Sequence, residues 1–270
     1  MTGKGIFDLT GKVALVTGAS RGLGSAFAEA MAEYGADVAC TGRDEAKLAE
    51  VVKTLGKYKH RAIAIRADMT KEDDIRRMVQ ETVKQLGKID IYFNNAGVTS
   101  PRMKIHEIPT DDWDRIINTN LRGMFLGLKY VIPVMIKQKG GSIINISSIA
   151  GLRAEVPEVA PAAYGASKAG IINMTQVAAM EYAHDGIRVN AIAPGIHETE
   201  LGHPKGVVMD EEMQKQRAKM TRQYCAAEIP LGRPAQPGEL KGLAVLLASD
   251  ASSYITGQVF VQDGGQSARL

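Results

Sequence analysis

Tyr164 and Lys168 stand four residues apart in the stretch AAYGASKAGI, residues 162–171. On a helix that spacing puts both side chains on one face, with Cβ atoms about 5–6 Å apart. A free phenol titrates near pH ~10, too high to trade protons readily at neutral pH. A neighbouring ammonium favours the phenolate and narrows that mismatch. The pair therefore reads as a device that gives a proton to a substrate oxygen or takes one from it. Gly165 and Ala166, between them, are expected to leave room for the bound molecules. The competing reading is an idle pair on a solvated helix face.

A second chemically loaded stretch is TGASRGLG: Thr17, Gly18, Ala19, Ser20, Arg21, Gly22, Leu23 and Gly24. It follows the apolar run KVALV and opens an amphipathic stretch, GSAFAEAMAEYG. Glycines there let the backbone approach a pyrophosphate, and the helix N-terminus offers free N–H groups and a positive dipole end. The spacing Gly18-x3-Gly22-x-Gly24 departs from the usual G-x-G-x-x-G. The next apolar run, DVACTG, ends on Gly42 and Arg43 where a carboxylate would bind ribose hydroxyls. Guanidinium groups at Arg21 and Arg43 suit a 2′-phosphate instead. The expected cofactor is NADP(H), with Asp44 keeping NAD(H) open.

These residues need elements to position them. Seven short apolar runs, near 12–18, 37–42, 62–68, 89–97, 142–148, 187–195 and 258–265, are separated by longer stretches, most of them amphipathic. The runs are continuously apolar, as in a parallel sheet covered on both faces. Strand–helix alternation predicts a doubly wound, Rossmann-type α/β fold. Helices are expected near 24–35, 45–57, 72–87, 111–138 and 162–184. Gly35 and Gly87 read as C-terminal stops. Thr70 and Thr110 read as N-terminal caps ahead of acidic first turns. No repeat or linker divides the chain, so one domain over 1–270 is expected. The charged, methionine-rich stretch 196–235 breaks the rhythm and reads as a substrate lid after a strand end.

Composition narrows the function classes. The chain has 270 residues, 45% hydrophobic and 23% charged, with a net charge of +3. That balance makes no electrostatic case for nucleic acid or an anionic membrane surface. No apolar run approaches the ~18 residues of a membrane span, and no signal-peptide core opens the sequence. Cys40 and Cys225 are far apart and match no disulfide or metal spacing, so no metal is expected. A cytoplasmic location is the expectation.

The motifs TGASRGLG, NNAG (94–97), Asn120 in NTN, Ser148 in ISSIAG, YGASK (164–168) and PGIHET (194–199) occur in this order. Together, from about Leu9 to Gly265, they resemble the short-chain dehydrogenase/reductase family. The pattern is similar to its gluconate 5-dehydrogenase-like and ketoreductase members. The resemblance implies a seven-stranded parallel sheet with helices on both faces, hydride transfer and a homotetramer joined through helices 111–138 and 162–184. It implies that Asn120, Ser148, Tyr164 and Lys168 form a catalytic tetrad. Ser148 would hydrogen-bond the carbonyl oxygen. Asn120 would hold a water linking Lys168 to solvent. Lys168 would also reach the nicotinamide ribose. Asn95, Ala96 and Gly97 would line the cofactor, with Asp68 and Met69 at the adenine. Pro194, Gly195, Ile196 and Thr199 would hold the nicotinamide carboxamide.

The substrate is less clearly written. Arg153, Glu155 and Glu158 are expected at the pocket rim, with His197, Glu198, Glu200, His203 and Lys205 in the lid. A polar rim suits a keto-sugar acid or polyol better than a steroid. A 3-oxoacyl or steroid/xenobiotic ketone reductase is the alternative, although Asp185 stands where a carrier-docking base would be expected beside Lys139. A non-catalytic NADP-binding regulator is the reading from another class. His197 and His203 read as solvated loop residues, and Met209, Met213 and Met220 as packing residues. Ser147 is the neighbour that competes with Ser148.

Overall fold

The structure, a computed structural model, describes residues 5–99, 103–154, 161–199 and 210–268. Its centre is a seven-stranded sheet in the order β3-β2-β1-β4-β5-β6-β7, with every pairing parallel. The strands are β1 Val13–Thr17, β2 Asp37–Gly42, β3 Ala62–Arg66, β4 Ile91–Asn94, β5 Gly141–Ile146, β6 Ile187–Pro194 and β7 Val259–Gln262. Helices α1 Gly22–Glu33, α2 Glu45–Leu55, α3 Glu72–Leu86, α4 Thr110–Ile117, α5 Gly123–Gln138, α6 Ala162–Tyr182, α7 Glu211–Glu228 and α8 Lys241–Ala248 connect them.

The continuous apolar runs have a direct packing reason. Successive strand side chains point to opposite faces. In β1, Ala14 and Val16 join one buried cluster with Phe27, Met31 and Val245, while Val13 and Leu15 join another with Met78, Met124 and Val131. Both faces are covered, so no position in β1 can be polar until Thr17. Cys40 lies in the first cluster, where burial pushes its thiol up to about 12. The ring of Phe27 on α1 stacks on Phe93 of β4 with centroids 4.9 Å apart, which fixes α1 across the point where strand order reverses. That reversal, between β1 and β4, opens a crevice at the C-terminal ends of the strands.

Several local expectations are corrected. The helix expected over 111–138 is interrupted by a π-helical turn, Asn118–Arg122, between α4 and α5. The Thr119 hydroxyl bonds the Arg115 carbonyl at 2.7 Å within that disturbance. Thr70 does not cap α3: its N-cap is Lys71, and the Thr70 hydroxyl donates to Asp68 Oδ1 at 2.8 Å. Thr110 is the first residue of α4, after Pro109 as N-cap. The acids still sit as expected in the first turns, Glu72, Asp73 and Asp74 on α3 and Asp111 and Asp112 on α4. Helix α8 adds to the expected set; it is a short, strongly apolar segment that buries Ala244, Val245 and Leu247.

Candidate active site

The crevice is a cleft of about 1060 Å³ lined from the C-terminal ends of six strands and from α7. At its phosphate end, the turn after β1 is built around three glycines. Gly18 and Gly22 have φ of +66° and +58°, which L side chains rarely adopt. A Cβ on Gly24 would land on the Gly18 carbonyl oxygen, so α1 packs directly on the end of β1. Arg21, the N-cap of α1, makes no side-chain capping bond. The first N–H groups of α1 therefore face the cleft without a capping side chain, as a dinucleotide phosphate requires.

The NNAG stretch braces this turn. Thr17 Oγ1 accepts from the N–H of Asn95 at 2.9 Å and of Ala96 at 3.0 Å. Asn95 Nδ2 donates to the Thr17 carbonyl at 2.7 Å. Asn94 is buried and donates to the Met124 carbonyl at 3.0 Å, tying β4 to α5. Sequence reasoning misses these roles of Thr17 and Asn94, because such long-range hydrogen bonds leave no local periodicity.

Ser20, Leu23, Gly42, Arg43, Asp68, Met69, Asn95, Ala96 and Gly97 all line the cleft, as do Pro194, Gly195, Ile196 and Thr199. Asp44 is engaged elsewhere, since its carboxylate accepts from Lys47 N–H at 3.1 Å as the N-cap of α2. Burial works against the charged form of Asp68. Hydrogen bonds from the Thr70 N–H and hydroxyl, with the nearby Arg43 and Lys71 charges, outweigh it and hold the carboxyl below the usual range.

Lys168 is 4% exposed on α6. Its Nζ donates to the Ile146 carbonyl at 2.7 Å and lies 5.4 Å from the centroid of the Tyr164 ring. Burial, with no carboxylate partner among the described residues, pushes the ammonium down to about 8. Tyr164, Lys168 and Ser148 line the cleft together. Ser148 Oγ accepts from Ala150 N–H at 3.2 Å, which leaves its own proton to donate. Ser147 is occupied otherwise: its hydroxyl bonds the Lys168 carbonyl at 2.8 Å.

Two sequence readings change here. Gly165 and Ala166 do not line the cleft. A Cβ on Gly165 would sit 3.0 Å from the Ala150 carbonyl oxygen, so its smallness lets the turn after β5 pack on α6, while Ala166 is exposed. Asn120 is fully buried behind the cleft rather than in its wall. Its amide exchanges bonds of 2.8 Å with both the N–H and the carbonyl of Val98, and reaches Ser167 Oγ at 3.1 Å. Ser167 in turn bonds the Tyr164 carbonyl at 2.7 Å. Asn120 lies within the π turn, and these bonds engage both polar atoms of its side chain.

The lid region is described in part. Glu155, Glu158, Glu200, His203, Lys205 and Met209 lie outside the described residues. His197 is not solvated: Nδ1 lies 3.1 Å from the Gly195 carbonyl, and burial lowers its pKa. On α7, Arg217, Thr221 and Tyr224 face the cleft and Cys225 is buried beneath; Met220 lines the cleft while largely exposed, and Met213 is exposed rather than packed. The spacing of 217, 221, 224 and 225 follows one helix face, and that periodicity is the signal that could have found them. Among the described residues, no helix is long and apolar enough to cross a membrane.

Comparison with known proteins agrees with this geometry. Residues 18–267 match the family model described as enoyl-(acyl carrier protein) reductase. The chain is 40% identical to an oxidoreductase of Bacillus subtilis, YxbG, over 257 residues, covering 95% of this chain and 91% of that one. It is 38% identical to the 3-oxoacyl-(acyl-carrier-protein) reductase FabG of Thermotoga maritima, covering 95% and 98%. A gluconate 5-dehydrogenase from Burkholderia cenocepacia, solved with NADP and tartrate, superposes with a TM-score of 0.86 at 32% identity, covering 99% of each chain. A matching family model over nearly the whole chain, a parallel seven-stranded sheet and relatives of one kind lead to a single assignment: the chain belongs to the short-chain dehydrogenase/reductase family of NAD(P)-dependent oxidoreductases.

Proposed function

We propose that this enzyme transfers a hydride between NADP(H) and the carbonyl or secondary alcohol of a small polar substrate of the keto-sugar acid or polyol type. The observation that carries the reading is the buried Lys168 ammonium beside the Tyr164 ring, in the wall of the same cleft that begins at the Gly18–Gly24 turn.

Bound in the cleft, the nicotinamide supplies or accepts the hydride. The Gly18, Ser20, Gly22, Leu23 and Gly24 turn would hold its pyrophosphate, and Asp68, Met69, Asn95, Ala96 and Gly97 its adenosine. Pro194, Gly195, Ile196 and Thr199 would hold the carboxamide. Arg21 and Arg43 would meet the 2′-phosphate. Support for NADP comes from β2 ending in Gly42 with Arg43 next and from Asp44 being spent on capping α2. Tyr164 gives its phenol proton to the carbonyl oxygen, or accepts one from the alcohol. Lys168 stabilises the charge left on the phenol oxygen. Ser148 donates to the same substrate oxygen and offsets its developing charge. Asn120 acts as a positioning residue, holding Val98 and Ser167 so that Tyr164 and Lys168 keep their places. Residues 196–235 serve as the lid of one catalytic domain.

A 3-oxoacyl substrate is the second reading, favoured by the Thermotoga relative. Assembly as a homotetramer is supported by Phe125 and Ile136 on α5 and Val177 and Met180 on α6, all exposed in the single chain; sedimentation tests it. The deciding experiment is a screen of keto-acids, polyols, 3-oxoacyl thioesters and steroids with NADPH, NADH and their oxidised forms. Turnover confined to 3-oxoacyl thioesters would reject the polar-substrate reading. Cofactor binding with no turnover of any compound would reject catalysis.

A further inference from the structure

Helix α7 covers the cleft with little apolar anchorage. Of its 18 residues only Cys225 is buried, and it turns the polar side chains of Arg217, Thr221 and Tyr224 inward. Apolar anchorage is thus confined to Cys225 and to Ile229 just beyond the helix end, which leaves polar contacts a large share in where the helix sits.

One such contact comes from the end of the chain. After β7, Asp263 closes a tight turn by accepting from Gly265 N–H at 2.9 Å and Ser267 N–H at 2.6 Å. Gly264 and Gly265 take φ of +66° and +88°; Cβ atoms there would crowd Ile229 and Pro230, the residues that leave α7. Leu231 N–H bonds the Gly264 carbonyl at 3.1 Å. The turn presents Gln266, 6% exposed, between two parts of the site. Its Nε2 donates to Tyr224 Oη at 3.3 Å, and its backbone carbonyl accepts from Arg153. Arg153 is five residues beyond Ser148, on the segment that leaves the proposed catalytic strand. Tyr224 lines the cleft, and through Gln266 it is joined to Arg153 in the segment that follows Ser148.

We propose that Gln266 is a positioning residue for substrate binding: it holds the Tyr224 hydroxyl, and with it α7, at the substrate side of the cleft. Tyr224 then forms part of the substrate-facing wall, at the distance from Ser148 that the Arg153–Gln266 link sets. The substrate arm of this inference rests on the oxidoreductase reading above; the helix-docking arm does not.

The test uses the full chain with NADPH bound and compares Gln266→Met, Tyr224→Phe and the double variant. Gln266→Met keeps the buried volume and removes the donor. Hydrogen–deuterium exchange in peptides of 211–228 reads the docking of α7 directly. Loss of one hydrogen bond predicts roughly fivefold faster exchange there in each single variant, with sheet peptides unchanged. The double variant is expected to match Tyr224→Phe, because Gln266→Met removes a bond that Tyr224→Phe already lacks. With whichever ketone supports NADPH oxidation, KM should rise about fivefold at kcat within twofold, and NADPH affinity by fluorescence should hold. Unchanged exchange in α7, additive effects in the double variant, or faster exchange spread through the sheet would each overturn the proposal. If no ketone is turned over, the catalytic reading fails and the exchange arm still decides whether Gln266 docks α7.

Discussion

Lys168 Nζ lies 5.4 Å from the centroid of the Tyr164 ring while donating to the Ile146 carbonyl at 2.7 Å. The ammonium is thus held by the C-terminal end of β5 and by its own helix at once. Among the described residues it has no carboxylate to neutralise it, so its charge acts on the ring and on whatever enters the cleft.

Tyr164→Phe removes the phenol hydroxyl and keeps the ring. Turnover is expected to fall by at least ~10²-fold, the scale of a lost general acid. NADPH binding, read by fluorescence quenching, and melting temperature should stay close to wild type. Retention of more than a tenth of the activity would reject Tyr164 as the acid.

The depressed Lys168 ammonium has a pH consequence. Its folded value of about 8 lies below that of an unfolded lysine, so between the two the unfolded chain binds more protons. Ligand-free stability from this group is therefore lowest below about pH 8 and rises as pH climbs toward the ordinary lysine range. Replacing Lys168 by Met removes that rise. Melting curves from about pH 7 to 10 should show wild type gaining on Lys168→Met; parallel curves would mean the ammonium is not desolvated.

Asn120→Ala removes the bonds to the N–H and carbonyl of half-buried Val98 and one bond to Ser167. Three lost bonds correspond to about 3 kcal/mol, or a melting temperature lower by roughly 6–12 °C in a chain of this size. Activity should fall with stability here, whereas Tyr164→Phe loses activity alone, and that contrast separates a positioning amide from a reacting phenol. A variant with wild-type stability would return Asn120 to a solvent-facing role.

Arg43→Ala tests the cofactor reading. The Kd for NADPH is expected to rise by at least about tenfold, the value of one lost charge-assisted contact, with NADH changed less than about twofold. Equal weakening of both would place Arg43 away from the 2′-phosphate.

Gly24→Ala puts a methyl group on the Gly18 carbonyl oxygen, against backbone that has nowhere to move. Both melting temperature and dinucleotide affinity should drop sharply. A stable variant that still binds NADPH would show that α1 can retreat from β1.

Periodicity and composition are enough to place all seven strands, since a parallel sheet buried on both faces leaves runs such as Ala14–Val16 no choice but to be apolar. The order of the glycine turn, Ser148, Tyr164 and Lys168 along the chain is equally legible, because each follows a strand end or shares a helix face. Local sequence does not say what Asn120, Gly165, Thr17 or Gln266 touch. Asn120 bonds Val98, 22 residues away, and Thr17 bonds Ala96, 79 residues away. Only the packing of β4, α6 and the C-terminal turn brings such partners together. Nor does local sequence reveal the π turn that carries Asn120. Residue types and their spacing already specify which groups could do chemistry and which fold would carry them. Folding adds that Lys168 is desolvated, that Asn120 lies behind the cleft rather than in its wall, and that α7 buries only Cys225, because burial and long-range hydrogen bonding exist only once the chain has closed on itself.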